Sequence, residues 1–300
     1  MRYLPTSKLT PGMALGQDIY DGAGRLLLAK HLLLSEEYIS NLEFLGFPGI
    51  YIDDEFTQGI EIQQVLNPQV RSQALKVVHD MFAFDAASDA EEDMPVSEIK
   101  IQKTIERIVE NILSNGDIMC NVLDIKNYDD YIYYHSINVA MMSVLLGANY
   151  GMNEESLYQL TTAAILHDIG KIAVPDAVLN KPSRLTDGEY ELMKKHTIWG
   201  KEILAGLEFL PQADMGAAYH HERFDGKGYP YGIKGDKIPD IVRIISAADS
   251  LDAMSSNRCY RRHCDKDYII SEFEKGAGTQ FDADVAQVVV GLIKEGRIIL

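Results

Sequence analysis

The stretch Ala164-Ile165-Leu166-His167-Asp168-Ile169-Gly170-Lys171 ends an apolar helical run in an imidazole and a carboxylate side by side. Gly170 lets the backbone turn there, and Lys171 adds a cation. An adjacent His and Asp at a helix end are good ligands for a divalent metal. Alone, the pair reads more simply as a core histidine beside a polar helix terminus. The rest of the chain reverses that preference. Six of its eight histidines lie between residues 135 and 263. Of these, His135, His167, His196, His220 and His221 fall on or at the ends of predicted helices, and Asp168 and Asp249 sit on separate helices. Burying so many polar groups is costly unless they share a partner, and one or two metal ions would serve as that partner, with Asp168 able to bridge them. A mixed nitrogen and oxygen shell suits iron, manganese or zinc better than magnesium.

From about Asn127 onward the chain reads as helix after helix with no alternation of strands, which argues an all-α bundle. One long helix over Tyr128–Tyr150 carries His135 on a face shared with Val139 and Met142. Asn153 caps a helix over Glu154–Asp168, and Thr186 with Glu189 makes a capping box for the helix that carries His196. A further helix runs from about Pro211 to His221. Pro239 stands in the first turn of the helix bearing Asp249 and Asp252, and Ala283–Lys294 forms a last amphipathic helix.

The first 60 residues read as a small α+β unit. Strands over Met13–Tyr20 and Arg25–Ala29 flank a turn at Asp21-Gly22-Ala23-Gly24, a helix capped by Ser35 runs to about Leu45, and Gly49–Ile52 is a short strand. Nothing in this unit carries chemistry, and His31 is expected to be structural. Residues 61–114 read as a helical linker. It holds a helix over 60–82 with a break near Pro68, a solvated acidic loop over Asp85–Asp93, and a helix over Ser97–Leu113. The stripe Ile101, Ile105, Ile108 and Ile112 suits either core packing or a signalling or dimer helix, so a homodimer through the 60–114 helices is one expectation. Residues 115–300 form the main domain.

A net charge of −17 excludes a generic binder of DNA or RNA duplex, which needs a basic footprint. No basic segment followed by a compact apolar run opens the chain, and Val139–Ala148, the longest apolar stretch, is too short to span a bilayer. No membrane association is expected. Cys120, Cys259 and Cys264 make neither a zinc spacing nor an even disulfide set, and read as free thiols of a cytoplasmic protein.

A second unusual stretch is His220-His221-Glu222-Arg223-Phe224-Asp225-Gly226-Lys227-Gly228-Tyr229-Pro230. Its glycines allow close backbone approach to a ligand, and its proline stiffens the exit. Between Arg223 and Lys266 nine basic residues face six acidic ones, a cationic surplus in an acidic chain. A basic mouth beside metals suits a small anionic substrate, because guanidinium groups match phosphate geometry.

The ordered set His135, His167-Asp168 with Lys171, His196, His220-His221-Glu222, Gly228-Tyr229-Pro230, Asp249 with Asp252, and Arg258-Cys259-Tyr260-Arg261 resembles the HD-GYP family of bacterial cyclic di-GMP phosphodiesterases, over roughly residues 115–300. The first 60 residues resemble, more weakly, the small unit found before some such domains. The resemblance implies a mainly α fold, an HD-type helical bundle with a small α+β N-terminal domain. It implies that His135, His167, Asp168 and Asp249 bind one divalent ion, iron or manganese, and that His196, His220 and His221 bind a second, with Asp168 bridging. A third ion, present in some members, takes a Glu one turn before the first histidine, where this chain has Tyr131, so two are expected. Lys171 and Asp168 are the implied catalytic groups, Gly228, Tyr229, Arg258 and Arg261 touch substrate, and Asp252 orients a ligand from behind. The implied reaction is in-line hydrolysis of cyclic di-GMP to linear pGpG, and onward to GMP, by a hydroxide held between the ions. Two alternatives stand beside it: a catalytically weak cyclic-dinucleotide receptor, and a phosphodiesterase for a mixed cyclic GMP-AMP dinucleotide.

Overall fold

The structure is a computed structural model, which describes residues 1–20, 25–45, 47, 49–54, 66–82, 98–114, 120–121, 131–181, 183–205, 207, 209–255 and 265–299. The N-terminal unit is a three-stranded antiparallel sheet in the order β1 (Arg2–Pro5), β5 (Gly49–Asp53), β2 (Ala14–Leu15), with a hairpin of β3 (Ile19–Tyr20) and β4 (Leu26–Leu28). Leu4 stands opposite Ile50, and Leu15 opposite Ile52. Helix α1 (Glu36–Phe44) starts where Ser35 accepts from the Tyr38 N–H. Leu15, Ile19, Leu34, Leu42, Ile50 and Ile52 form the core of this unit. The expected strand over Met13–Tyr20 is two short strands, because Gly16 closes on the Tyr51 backbone, its N–H donating to the Tyr51 carbonyl at 2.7 Å. β1 is an addition that its short, unpatterned sequence did not signal. The expected turn at 21–24 and the acidic loop at 85–93 lie outside the described residues.

The second core is built around α4 (Tyr131–Tyr150), whose residues 135 to 147 are all buried. A helix buried all round must be enclosed by others. It is packed by α2 (Pro68–Phe82), α3 (Glu98–Ser114), α5 (Glu154–Leu166), α10 (Asp240–Ser255) and α12 (Ala283–Lys294). Pro68 is the first residue of α2, as its missing N–H allows, and residues 60–65 of the expected helix lie outside the described residues. The helices α2 and α3, expected in a linker, bury Val77, Val78, Met81, Ile101, Ile105, Ile108 and Ile112 in the same core as α4 and α5. That stripe is therefore spent inside the chain and is not what a second copy would bind.

Around this centre lie α6 (Asp176–Leu179), α7 (Asp187–Lys194), α8 (His196–Leu204), α9 (Ala213–Tyr219) and α11 (Lys266–Gly276). The last of these, capped by Asp265, was not expected from the charged sequence around it. A short parallel pair, β6 (Cys120–Asn121) with β7 (Ile298–Ile299), ties the two ends of the domain. Two expected helices are shorter than read. The Thr186–Glu189 capping box is present, but its helix stops at Lys194 and His196 starts another. Here the His196 ring and the Thr197 hydroxyl donate to the carbonyls of Met193 and Lys194, which a continuous helix would give to backbone N–H groups. Likewise α5 ends at Leu166, and the chain tightens into a 3₁₀ turn over Ile169–Ala173. No described helix is long and apolar enough to cross a membrane.

Candidate metal centre

Five helices deliver the polar cluster. His135 comes from the middle of α4, His167 and Asp168 from the end of α5, and His196 from the start of α8. His220 and His221 follow α9, and Asp249 and Asp252 share one face of α10. The approach of α8 to the 169–173 turn depends on Gly170. A methyl group there would overlap the His196 carbonyl oxygen and the Gly200 backbone. Gly170 is not among the glycines of positive φ, so it is required for close packing and not for the turn expected of it.

Four histidines share one design. The Nδ1–H of His167 donates to the Ala164 carbonyl at 2.7 Å, that of His196 to Met193 at 2.7 Å, and that of His220 to Gly216 at 3.0 Å. That of His135 donates to the Asp252 carboxylate at 2.7 Å. Carbonyl and carboxylate oxygens only accept, so they hold a proton on Nδ1 and make Nε2 the nitrogen available to a metal. All four Nε2 atoms point into the cluster. His196 Nε2 and His220 Nε2 face each other at 3.3 Å, two lone pairs without a proton between them. His167 Nε2 and Asp168 Oδ1 are buried with no hydrogen-bond partner. Buried acceptors facing one another call for a cation.

Asp168 lies at the middle of the cluster, 1% exposed. Its Oδ2 is 3.5 Å from His135 Nε2 and 3.3 Å from His167 Nε2. Its Oδ1 is 3.5 Å from His196 Nε2 and 3.7 Å from His220 Nε2. The two oxygens thus serve opposite halves of the site. Donor atoms of His135, His167 and Asp249 lie within 4.8 Å of one another, as do those of His196, His220 and His221. The donor set suits divalent cations around Asp168, and Lys171 ion-pairs with Asp168 from the side.

Electrostatics separate the halves. Burial pulls the His135 imidazole down, but hydrogen bonds and charges from Asp249 and Asp252 outweigh it and lift the group to about 9. Burial raises Asp168, yet Lys171 and His167 hold it well below the usual carboxylate range, and His135 does the same for Asp249. In the other half burial dominates. It lowers His196, lowers His220 further with help from neighbouring histidines, and takes His221 to about 3. Neutral imidazoles are the ligand form.

A family model described as the HD domain matches residues 119–285, more than half of the chain. The chain is an HD-domain protein of the HD-GYP family. A cyclic di-GMP phosphodiesterase of Thermotoga maritima is 36% identical over 203 residues, 65% of this chain and 54% of that protein. A 3'3'-cGAMP-specific phosphodiesterase of Vibrio cholerae is 35% identical over 51% of this chain and 34% of its own length. The chain therefore spans from about a third to about half of these relatives. Bd1817, an HDG"Y"P protein of Bdellovibrio bacteriovorus, has the same fold, with a TM-score of 0.63 at 17% identity over 98% of this chain and 99% of that one. HD-domain phosphodiesterases are metal-dependent, in keeping with the donor clusters described above.

In this HD-GYP chain the Gly-Tyr-Pro loop is pinned to the second pair of histidines. The Tyr229 N–H donates to the His221 carbonyl at 3.2 Å. Gly228 sits against the backbone of His221, Glu222 and Arg223, where no side chain would fit. That packing by itself requires glycine at this position. Glu222, 2% exposed, accepts from the N–H groups of Tyr231 at 2.7 Å and Gly232 at 3.0 Å. The Tyr229 ring consequently stands 4.7 Å from that of His221, and burial, then Tyr190 and the acids Asp168 and Asp249, raise its hydroxyl pKa. Sequence reasoning missed two groups here. Glu222 was visible only as a motif letter, and Asn138, which donates to Asp252 at 3.2 Å, gave no signal at all. Arg258 and Arg261 lie outside the described residues, and so does the side chain of Tyr131.

Proposed function

We propose that this chain is a metal-dependent phosphodiesterase that hydrolyses cyclic di-GMP to linear pGpG, and further to GMP. The supporting observation is the convergence of four histidine Nε2 atoms on the two oxygens of one buried Asp168. In this reading His135, His167 and Asp249 hold one divalent ion, and His196, His220 and His221 the other, with Asp168 between them. Iron or manganese suits such mixed nitrogen and oxygen donors. Bound there, the ions supply positive charge to the phosphoryl oxygens and acidify water for attack.

The residues of the chain do the rest. Lys171 adds a charge beside Asp168 where phosphate charge develops. Asp252 keeps His135 in the ligating tautomer. Gly228 lets the loop close on His221, and Tyr229 offers a ring beside the reacting phosphate for a base to lean on. Arg258 and Arg261 hold phosphate by resemblance to the family. The intact ligand set favours an enzyme over a receptor. The similarity to a phosphodiesterase named for 3'3'-cGAMP favours a second reading, the same chemistry on a mixed cyclic GMP-AMP dinucleotide.

The test is metal content of anaerobically purified protein, paired with turnover of both dinucleotides and identification of products. Two iron or manganese ions per chain with pGpG or GMP as product supports the proposal. Tight binding at full loading without product makes the chain a receptor.

A further inference from the structure

A cyclic dinucleotide carries two phosphodiesters, and the metal cluster engages only one. The structure points to where the other rests. Tyr229 stands beside His221 on the cluster side, and the Lys194 ammonium stands 5.6 Å from its ring centroid. Lys194 also lies 5.4 Å from the ring of Tyr190, one turn earlier on α7. Its side chain is 25% exposed, so a cation is held at the rim by two tyrosine rings. Lys171, nearer the cluster, is committed to Asp168. The partner of Lys194 is Glu191 at 2.7 Å, an i,i+3 pair whose acid is largely exposed. Such pairs are weak and give way to a stronger anion. α7 ends at Lys194, and His196 opens α8 two residues later, so the position of the ammonium is tied to that of a cluster ligand.

We infer that Lys194, flanked by Tyr190 and Tyr229, binds the second, non-reacting phosphate of the cyclic dinucleotide, with the exposed Tyr190 ring offering a surface for a base. This rests on the phosphodiesterase reading. Cyclic substrates gain from it, whereas a small diester with one phosphate does not reach it. The rim is thus the part of the site that tells a cyclic dinucleotide from a simple diester.

The experiment compares wild type, Lys194→Gln and Lys194→Arg on cyclic di-GMP and on bis(p-nitrophenyl) phosphate, with metal content measured for each. Calorimetry measures cyclic di-GMP binding. Lys194→Gln is expected to raise KM and Kd for cyclic di-GMP about tenfold, the scale of one charge-assisted hydrogen bond, with a much smaller change on the one-phosphate ester. It should also lower the salt dependence of Kd, because one screened ion pair fewer is made. Lys194→Arg keeps the charge over the rings and should restore most of the affinity. Equal losses on both substrates, or a fall in metal content, would show that Lys194 acts only through Tyr229 or His196 and overturn the inference. An unchanged KM and Kd would reduce it to the surface partner of Glu191. Wild type that cleaves the simple ester but neither binds nor cleaves a cyclic dinucleotide is a failure of the functional reading, and is recognised before any variant is made.

Discussion

Asp252 is fully buried behind His135: it accepts from His135 Nδ1 at 2.7 Å and from the Asn138 amide at 3.2 Å. Asp252→Ala removes both acceptors. Each buried donor left unpaired costs about 1–3 kcal/mol, so the metal-free chain should lose about 2–6 kcal/mol. Against a typical total of about 5–15 kcal/mol, that brings the metal-free variant close to unfolding. The second effect is on the ligand. Without Asp252, the His135 proton can move to Nε2, toward Asp249 at 3.2 Å, and loss of such a partner typically weakens metal affinity about 10–100-fold. Asp252→Asn separates these effects. Its amide oxygen still accepts from His135, and Asn138 can turn its own amide to match, so stability should be kept while the negative charge is lost. The assay is competition for metal against an indicator chelator, with thermal unfolding in excess chelator as the stability measure. Asp252→Ala should lose ion affinity at one site of two and unfold at a lower temperature, and Asp252→Asn should show the affinity loss alone, near the lower end of that range. Asp252→Ala with wild-type affinity and midpoint would refute the view that His135 is oriented from behind.

Three further expectations follow from the same geometry. Gly170→Ala places a methyl on the His196 carbonyl and the Gly200 backbone, which cannot rotate away, so it should cost at least the about 1–3 kcal/mol of an overpacked core and lower occupancy of the His196, His220 and His221 group; a variant with unchanged urea midpoint and metal content would contradict it. Glu222→Ala frees the Tyr231 and Gly232 N–H groups, so KM should rise with metal content retained, while Glu222→Gln keeps an acceptor and should behave close to wild type; equal losses in both variants would mean that the charge, and not the clamp on the loop, is what matters. In excess chelator, stability should depend on pH with two limbs. His196, His220 and His221 are lowered in the folded state, so their contribution is present above the unfolded value of about 6.5 and is lost as pH falls, for His221 down to about 3. His135 is raised to about 9, so its contribution is full below about 6.5 and is lost as pH rises toward 9. Urea midpoints should therefore peak near neutral pH with the steeper loss on the acid side, and an acid limb that began only below pH 4 would exclude the histidines as its cause.

That these polar residues would gather was legible because they are conspicuous against their setting. His135 and His167 interrupt apolar helical runs, where a polar group must have a reason to be buried. The helix starts at Ser35, Asn153 and Thr186 were legible too, since each is a side chain that completes the first turn of its own helix. What was not legible depends on contacts remote in sequence, or on competition for one carbonyl. Asn138 meets Asp252 across 114 residues. The packing need at Gly170 comes from α8, and its sequence context suggested only a turn. The break between α7 and α8 arises because the side chains of His196 and Thr197 win carbonyls that helix propensity assigns to the backbone. The helices at 66–114 read as a linker because periodicity reports that a stripe is buried and is silent about what buries it.

The two halves of the cluster differ in charge, and this has a consequence for loading. On one side His135 and His167 are accompanied by Asp249 and Asp168 Oδ2, with Asp252 behind them. On the other side His196 and His220 face Asp168 Oδ1, and His221 stands beside them with Asp249 acting on it from the first half as a charge. A divalent ion in a buried site is drawn more strongly to the half with more negative charge, at equal ligand number. Metal titration of the chelated chain should therefore proceed in two phases, the tighter belonging to the Asp249 half. Asp249→Asn should abolish the tight phase, whereas His221→Gln should remove only the weak one. On acidification from neutral pH the tight phase should weaken first, since protons compete for His135, raised to about 9, whereas His196, His220 and His221 are held below the ordinary imidazole value. A single phase that both substitutions weaken alike would mean that Asp168 couples the halves into one site, and that charge does not order their filling.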